Sequence, residues 1–132
     1  MAVYRIDTKL NKLQCEKIAQ SLSPIEVERL ERYDLKAYDI EIDGKVSSFI
    51  ITDRYVITRI ILFLRQKNIE FEYDNVSDDV LIGNISFEGT PFENDVNEFI
   101  QNNITVDHIL DKINKFGIES LNQYDKLILE NN

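Results

Sequence analysis

The stretch TDRYVITRIILFLRQKN, from Thr52 to Asn68, is the most apolar run in the chain and carries its own start and stop signals. Thr52 or Asp53 offers an oxygen to the free amides of a first helical turn. Arg65, Lys67 and Asn68 suit the negative end of a helix. Ile57, Ile60, Ile61 and Leu64 recur at helical spacing, and Val56 and Phe63 widen that stripe. Arg54, Arg59 and Arg65 mark the side that meets water. A stripe this wide is predicted to lie on a sheet. The run is too short, and too interrupted by arginine, to span a membrane.

Immediately upstream, Leu35 to Thr52 reads as a hairpin. Asp43 and Gly44 form the two-residue turn preferred where both central positions need positive φ. Tyr38, Ile40 and Ile42 alternate with Asp39, Glu41 and Asp43 before it, and Phe49 and Ile51 alternate with Ser48 and Ile50 after it. Pairing Ile42 with Lys45 sets Tyr38 opposite Phe49, on the face the central helix is expected to cover. The second strand is apolar on both faces near its end, so it belongs inside the sheet. Downstream, Ile69, Phe71 and Tyr73 alternate with Glu70 and Glu72 as a further strand. Strand, helix and strand in close succession predict a crossover and a parallel pairing with the hairpin's second strand.

Further out, Ala2 to Asp7 alternates as a first strand, and Thr8 reads as the cap of a helix carrying Leu10, Leu13, Cys15, Ile18, Ala19 and Leu22 on one side. Ser23, Pro24 and Glu26 start a second helix that runs to about Tyr33 and is expected to bury Val27 and Leu30. Asp74 to Gly83 reads either as a short helix capped by Ser77 or as a strand, and Ile85 and Phe87 are expected to extend or edge the sheet. Beyond Glu88, Gly89, Thr90 and Pro91 the period becomes helical. Val96, Phe99 and Ile100 mark one helix, and Thr105 to Gly117 a second. Ser120 and Gln123 read as the capping box of a third, which would bury Leu121, Tyr124, Leu127 and Ile128.

The predicted fold is therefore α+β: a mixed sheet of four or five strands, a central crossover helix, two N-terminal helices and a C-terminal helical hairpin. Residues 1–90 form the sheet domain. Residues 91–132 form a helical unit packed on it, the whole making one compact domain.

At 132 residues, 43% hydrophobic and 30% charged, the chain has the makeup of an ordinary globular protein with a real core. Met1 leads directly into strand-like sequence with no export leader, and a single cysteine suits a reducing interior, so the expected location is cytoplasmic. The net charge of −9 is unevenly placed. Residues 68–111 hold eleven Asp and Glu and no Lys or Arg, whereas residues 1–67 hold ten against twelve. Such a block repels phosphates and attracts basic partners. With a pI near 4.6, direct nucleic-acid binding is not expected.

Motifs for chemistry are sparse. One histidine and one cysteine cannot build a zinc site. Cys15 lies on an apolar helix face and reads as a small hydrophobe. His108, beside Asp107 in a first helical turn, reads as a polar surface or capping residue, since a helix N-terminus disfavours the imidazolium. The glycines are scattered among turns and form no phosphate loop. Asp74, Ser77, Asp78 and Asp79 lack the spacing of a calcium loop. No catalytic residue, metal or cofactor is expected.

Ile109, Leu110, Asp111, Lys112 and Ile113, then Gly117, Ser120, Leu121 and Leu127, carry a family resemblance. Residues 106–129 resemble a small C-terminal helical-hairpin domain of unknown function, found at the tail of rhomboid-type proteases and other proteins of Bacteroidota. The acidic pair that follows the Ser-Leu step there is replaced here by Gln123, Tyr124 and Asp125. The resemblance implies a helical hairpin and a bacterial or phage source, and no activity.

The function expected from these observations is that of a non-catalytic interaction protein, an accessory factor or inhibitor with a basic protein partner. Its acidic surface would comprise Glu70, Glu72, Asp74, Asp78, Asp79, Glu88, Glu93, Asp95 and Glu98, and in its sharpest form would mimic nucleic acid. One alternative is a self-assembling component, a homodimer through apolar faces of the hairpin strand or the C-terminal helices. The other is a small carboxylate-based enzyme or ligand-binding domain, which would need two or more of Glu70, Glu72, Asp74, Asp78 and Asp79 in one concave pocket.

Overall fold

The computed structural model describes residues 1–131. The chain is α+β and divides into two compact units, the first ending at Asn75 and the second beginning at Val76.

The first unit is built on β1 (Ala2–Thr8), β2 (Lys36–Ile42), β3 (Lys45–Thr52) and β4 (Phe71–Asn75). Asp43 and Gly44 both take positive φ, 52° and 76°, and the hairpin has the predicted register, with Ile42 opposite Lys45 and Tyr38 opposite Phe49. Between β3 and β4 runs α3 (Arg54–Gln66), started by the Asp53 carboxylate, which accepts the Val56 N–H at 2.8 Å. It buries Val56, Ile57, Ile60 and Ile61 against Ile6 and Ile50, with Tyr4, Leu35, Leu64 and Phe71 around the edge. The face it covers is thus the Ile50 face, not the Tyr38 and Phe49 face expected. Because β3 is apolar on both sides, alternation alone does not say which one takes the helix.

The sheet order is β2-β3-β1-β4 and every pairing is antiparallel. The expected mixed sheet and the parallel contact between β3 and β4 are absent from it. The reason lies in β1, which occupies the free side of β3 from Ala2 opposite Thr52 to Asp7 opposite Ser47. After α3 the chain joins the far side of β1, with Thr8 opposite Phe71 and Tyr4 opposite Asn75. β4 still runs in the direction of β3, as a crossover demands, but one strand further out. As an edge strand it stays open, and Tyr73 is 49% exposed.

Two helices connect β1 to the hairpin, α1 (Lys12–Ser21) and α2 (Pro24–Arg32). Asn11, not Thr8, caps α1, its side chain accepting the Gln14 N–H while Gln14 accepts the Asn11 N–H. Thr8 instead donates its hydroxyl to the Val46 carbonyl at 2.8 Å. The Ser23, Pro24 and Glu26 start of α2 is as predicted. Neither helix buries a residue fully: Leu13 and Val27 are exposed and Leu30 is half-buried.

In the second unit, Ser77–Leu81 is a short helix, α4, that buries Val80 and Leu81. Ile85 and Phe87 lie in the turns that follow and add no strand, and the Phe87 ring meets Phe92 edge-on at 5.2 Å. Then come α5 (Glu93–Asn103), α6 (Val106–Phe116), a 3-10 turn (Ile118–Ser120) and α7 (Gln123–Glu130). Val96, Phe99 and Ile109 are buried, Thr105 caps α6, and Gly117 stops it at φ 85°. The cap of α7 is Asn122 with Asp125, not Ser120 with Gln123. Its inner stripe is accordingly Leu121, Asp125, Ile128 and Leu129, while Tyr124 and Leu127 are exposed. Among the described residues no helix is long and apolar enough to cross a membrane.

Candidate functional site

The nine predicted carboxylates fall on both sides of the division between the units. Glu70, Glu72 and Asp74 belong to the first. Glu70 precedes β4 and pairs with Lys9 at 3.3 Å, both side chains exposed, a contact worth little in water. Glu72 and Asp74 stand on β4 opposite Asp7 and Arg5, and the Arg5 Nε donates to Asp7 at 2.9 Å. The six others, Asp78, Asp79, Glu88, Glu93, Asp95 and Glu98, belong to the second unit, on α4, α5 and the turns between them.

Several of these acids have local structural work. Asp79 accepts the Asn84 side-chain amide at 3.0 Å. Glu93 accepts the Gly89 N–H at 3.0 Å and so closes the turn ahead of α5. Asp78 meets the His108 Nε2 at 3.0 Å. His108 holds the Thr105 N–H on its Nδ1 at 3.1 Å, which is the capping role read for it. Glu88 and Glu93 open onto one cleft of about 410 Å³, whose wall also carries Asn97, Gln101, Lys112 and Tyr124.

The charge balance separates the units sharply. Residues 1–75 hold thirteen Asp and Glu against twelve Lys and Arg. Residues 76–132 hold eleven against three, so nearly all of the net −9 resides there. The imbalance at the surface is not relieved by Lys112, whose ammonium is committed to the Asp125 carboxylate at 2.8 Å.

That ion pair is the feature sequence reading missed. The Asp125 side chain is only 1% exposed and Lys112 17%. Asp125 Oδ2 also accepts the Asn122 N–H at 3.1 Å, while Oδ1 is buried with no hydrogen-bond partner. The available signal was the Asn-x-x-Asp spacing of 122 and 125, a capping frame in its own right.

Among the described residues no group of three His, Cys, Asp or Glu is placed to hold a metal ion. Cys15 is half-buried, and its thiol is pushed above its ordinary value by burial and then by the negative charges of Asp39 and Glu16. A thiol so placed is a poor nucleophile. No protein-family model, curated protein or solved structure matches this chain.

Proposed function

We propose that this is a non-catalytic interaction protein, a cytoplasmic accessory factor or inhibitor of bacterial or phage origin, whose C-terminal unit meets a basic protein partner. What supports this reading is the partition of charge: eleven carboxylates against three lysines after residue 75, and near balance before it. A field of one sign concentrated on one compact unit speeds encounter with an oppositely charged surface and rejects phosphates. In its sharper form the unit occupies a groove that otherwise holds nucleic acid.

The test uses the tagged full-length protein and lysate of its source, at low and high salt. A specific partner released as salt rises supports the reading, because screening weakens exposed charge pairs. The isosteric triple variant Asp79→Asn, Glu88→Gln, Glu93→Gln keeps each local acceptor and removes the charge, and it should lose that partner. Glu16→Gln, Glu31→Gln and Glu41→Gln in the first unit should not. A partner held equally by all three proteins, or retained at high salt, overturns it.

A self-associating component is the second reading, favoured by the apolar side chains that α6, the 3-10 turn and α7 leave in water. Leu110, Phe116, Ile118 and Leu127 are all exposed. Sedimentation decides this: a strict monomer at high concentration removes it.

A further inference from the structure

The first unit holds a groove of opposite character between α2 and α3. It encloses about 340 Å³, within the lower range of small-molecule sites. Leu30 of α2 and Leu62 and Phe63 of α3 make its apolar lining, and Leu62 is left 43% exposed although it belongs to the core helix. Arg29 stands on the α2 wall and Arg59 on the α3 wall. Among the described residues neither guanidinium has an ion-pair partner. Arg59 rests over the Tyr55 ring at 5.6 Å, a contact that keeps its hydrogen-bond donors available. The only acid lining the groove, Glu26, is already neutralised by Lys67 at 2.7 Å.

We propose that this groove binds an organic anion, a carboxylate or phosphate head on a short apolar body. The chemistry follows from the lining. A guanidinium presents its donors in a planar fork that matches both kinds of head, and two walls supply one fork each. The leucines and the phenylalanine then remove the body of the ligand from water, which a bare inorganic anion cannot exploit. The glutamate already paired to Lys67 adds no net repulsion. This site is independent of the acidic C-terminal unit, so it stands or falls apart from the interaction reading.

The test is amide NMR on the full chain with octanoate and phenyl phosphate as probes, and acetate and inorganic phosphate as controls without an apolar body. Octanoate or phenyl phosphate should shift amides of α2 and α3 and bind more tightly than its control. Arg29→Gln and Arg59→Gln should each weaken that binding by about tenfold, the worth of one charge-assisted hydrogen bond. Both arginines are exposed, so thermal melts should show the variants folded. Arg54→Gln, on the same helix but outside the groove, should change nothing. No shifts in α2 and α3, equal binding of the controls, or equal weakening by Arg54→Gln would each overturn the proposal.

Discussion

Lys112 Nζ lies 2.8 Å from Asp125 Oδ2, and Asp125 is the one charged residue buried among those described. The pair joins the middle of α6 to the first turn of α7, where Asp125 also receives the Asn122 N–H. The two partners are unequal. Lys112 retains an edge in water, whereas Asp125 has none, so losing the lysine strands a charge and losing the aspartate does not. Lys112→Met is therefore expected to lower stability by about 3 kcal/mol, the cost of an unpaired buried charge. Asp125→Asn, which keeps an oxygen for the Asn122 amide, should lower it by only about 1 kcal/mol. Urea unfolding followed by helix circular dichroism checks the order. An equal loss for both, or a larger loss for Asp125→Asn, contradicts it.

The same pair shows where sequence reading stops. The hairpin and α3 are legible because their signals are local: the Asp43 and Gly44 turn, the alternation around it, and the Asp53 cap. The position of β4 was not legible. Its direction follows from the β3, α3 and β4 succession, but its neighbour depends on where β1 settles, and β1 meets β3 only through contacts distant in sequence, from Ala2 opposite Thr52 to Asp7 opposite Ser47. α7 failed for another reason. An apolar count assigns Asp125 to water and makes Tyr124 and Leu127 the inner face; a partner lysine on α6 lets the carboxylate turn inward. That moves the stripe by one residue, a rotation of about 100°. Of the predicted acidic surface, the residues were visible in sequence while the boundary between Asp74 and Asp78 was not, since nothing local marks Asn75 as the end of a compact unit.

His108 is predicted to hold its proton on Nε2. Its Nδ1 receives the Thr105 N–H at 3.1 Å, so that nitrogen must be an acceptor, and Nε2 then donates to Asp78 at 3.0 Å. Nitrogen NMR of the imidazole, in buffer alkaline enough for the ring to be neutral, should show this tautomer alone. His108→Ala removes an acceptor from the α6 capping box and should cost about 1 kcal/mol. His108→Gln should recover most of it, because glutamine is an ordinary partner in that box. Asp78→Asn should leave the tautomer as it is, since the cap sets it. The opposite tautomer, or no recovery by glutamine, refutes the assignment.

Glu26 should contribute to acid stability. Lys67 at 2.7 Å is the first cause, and the Ser23 N–H at 3.0 Å the second, that bring its carboxyl from the ordinary 4.5 down to about 2. A carboxylate with a depressed folded value stabilises the fold above its unfolded value, and that contribution fades as pH falls toward the folded one. The melting difference between wild type and Glu26→Gln should therefore hold above pH 4.5 and shrink steadily as pH falls to about 2. Lys67→Met should move the Glu26 titration, followed by carboxyl carbon NMR, back upward. A Glu26 that titrates near 4.5 in the wild type removes the effect.

Cys15 should behave as a protected thiol. Burial acts first, and the charges of Asp39 and Glu16 act in the same direction, against the weaker opposing hydrogen bond of Thr8. The thiolate is the species that attacks an alkylating agent, so raising the thiol lowers the reactive fraction at neutral pH. Iodoacetamide at mildly alkaline pH should therefore modify native Cys15 more slowly than the same residue in denaturant. Asp39→Asn removes one of the charges that disfavour the thiolate and should speed the native reaction without unfolding the hairpin, because its amide oxygen can still accept the Ser48 hydroxyl that Asp39 holds at 2.6 Å. Native alkylation as fast as in denaturant would mean that neither burial nor the neighbouring carboxylates restrain this sulfur.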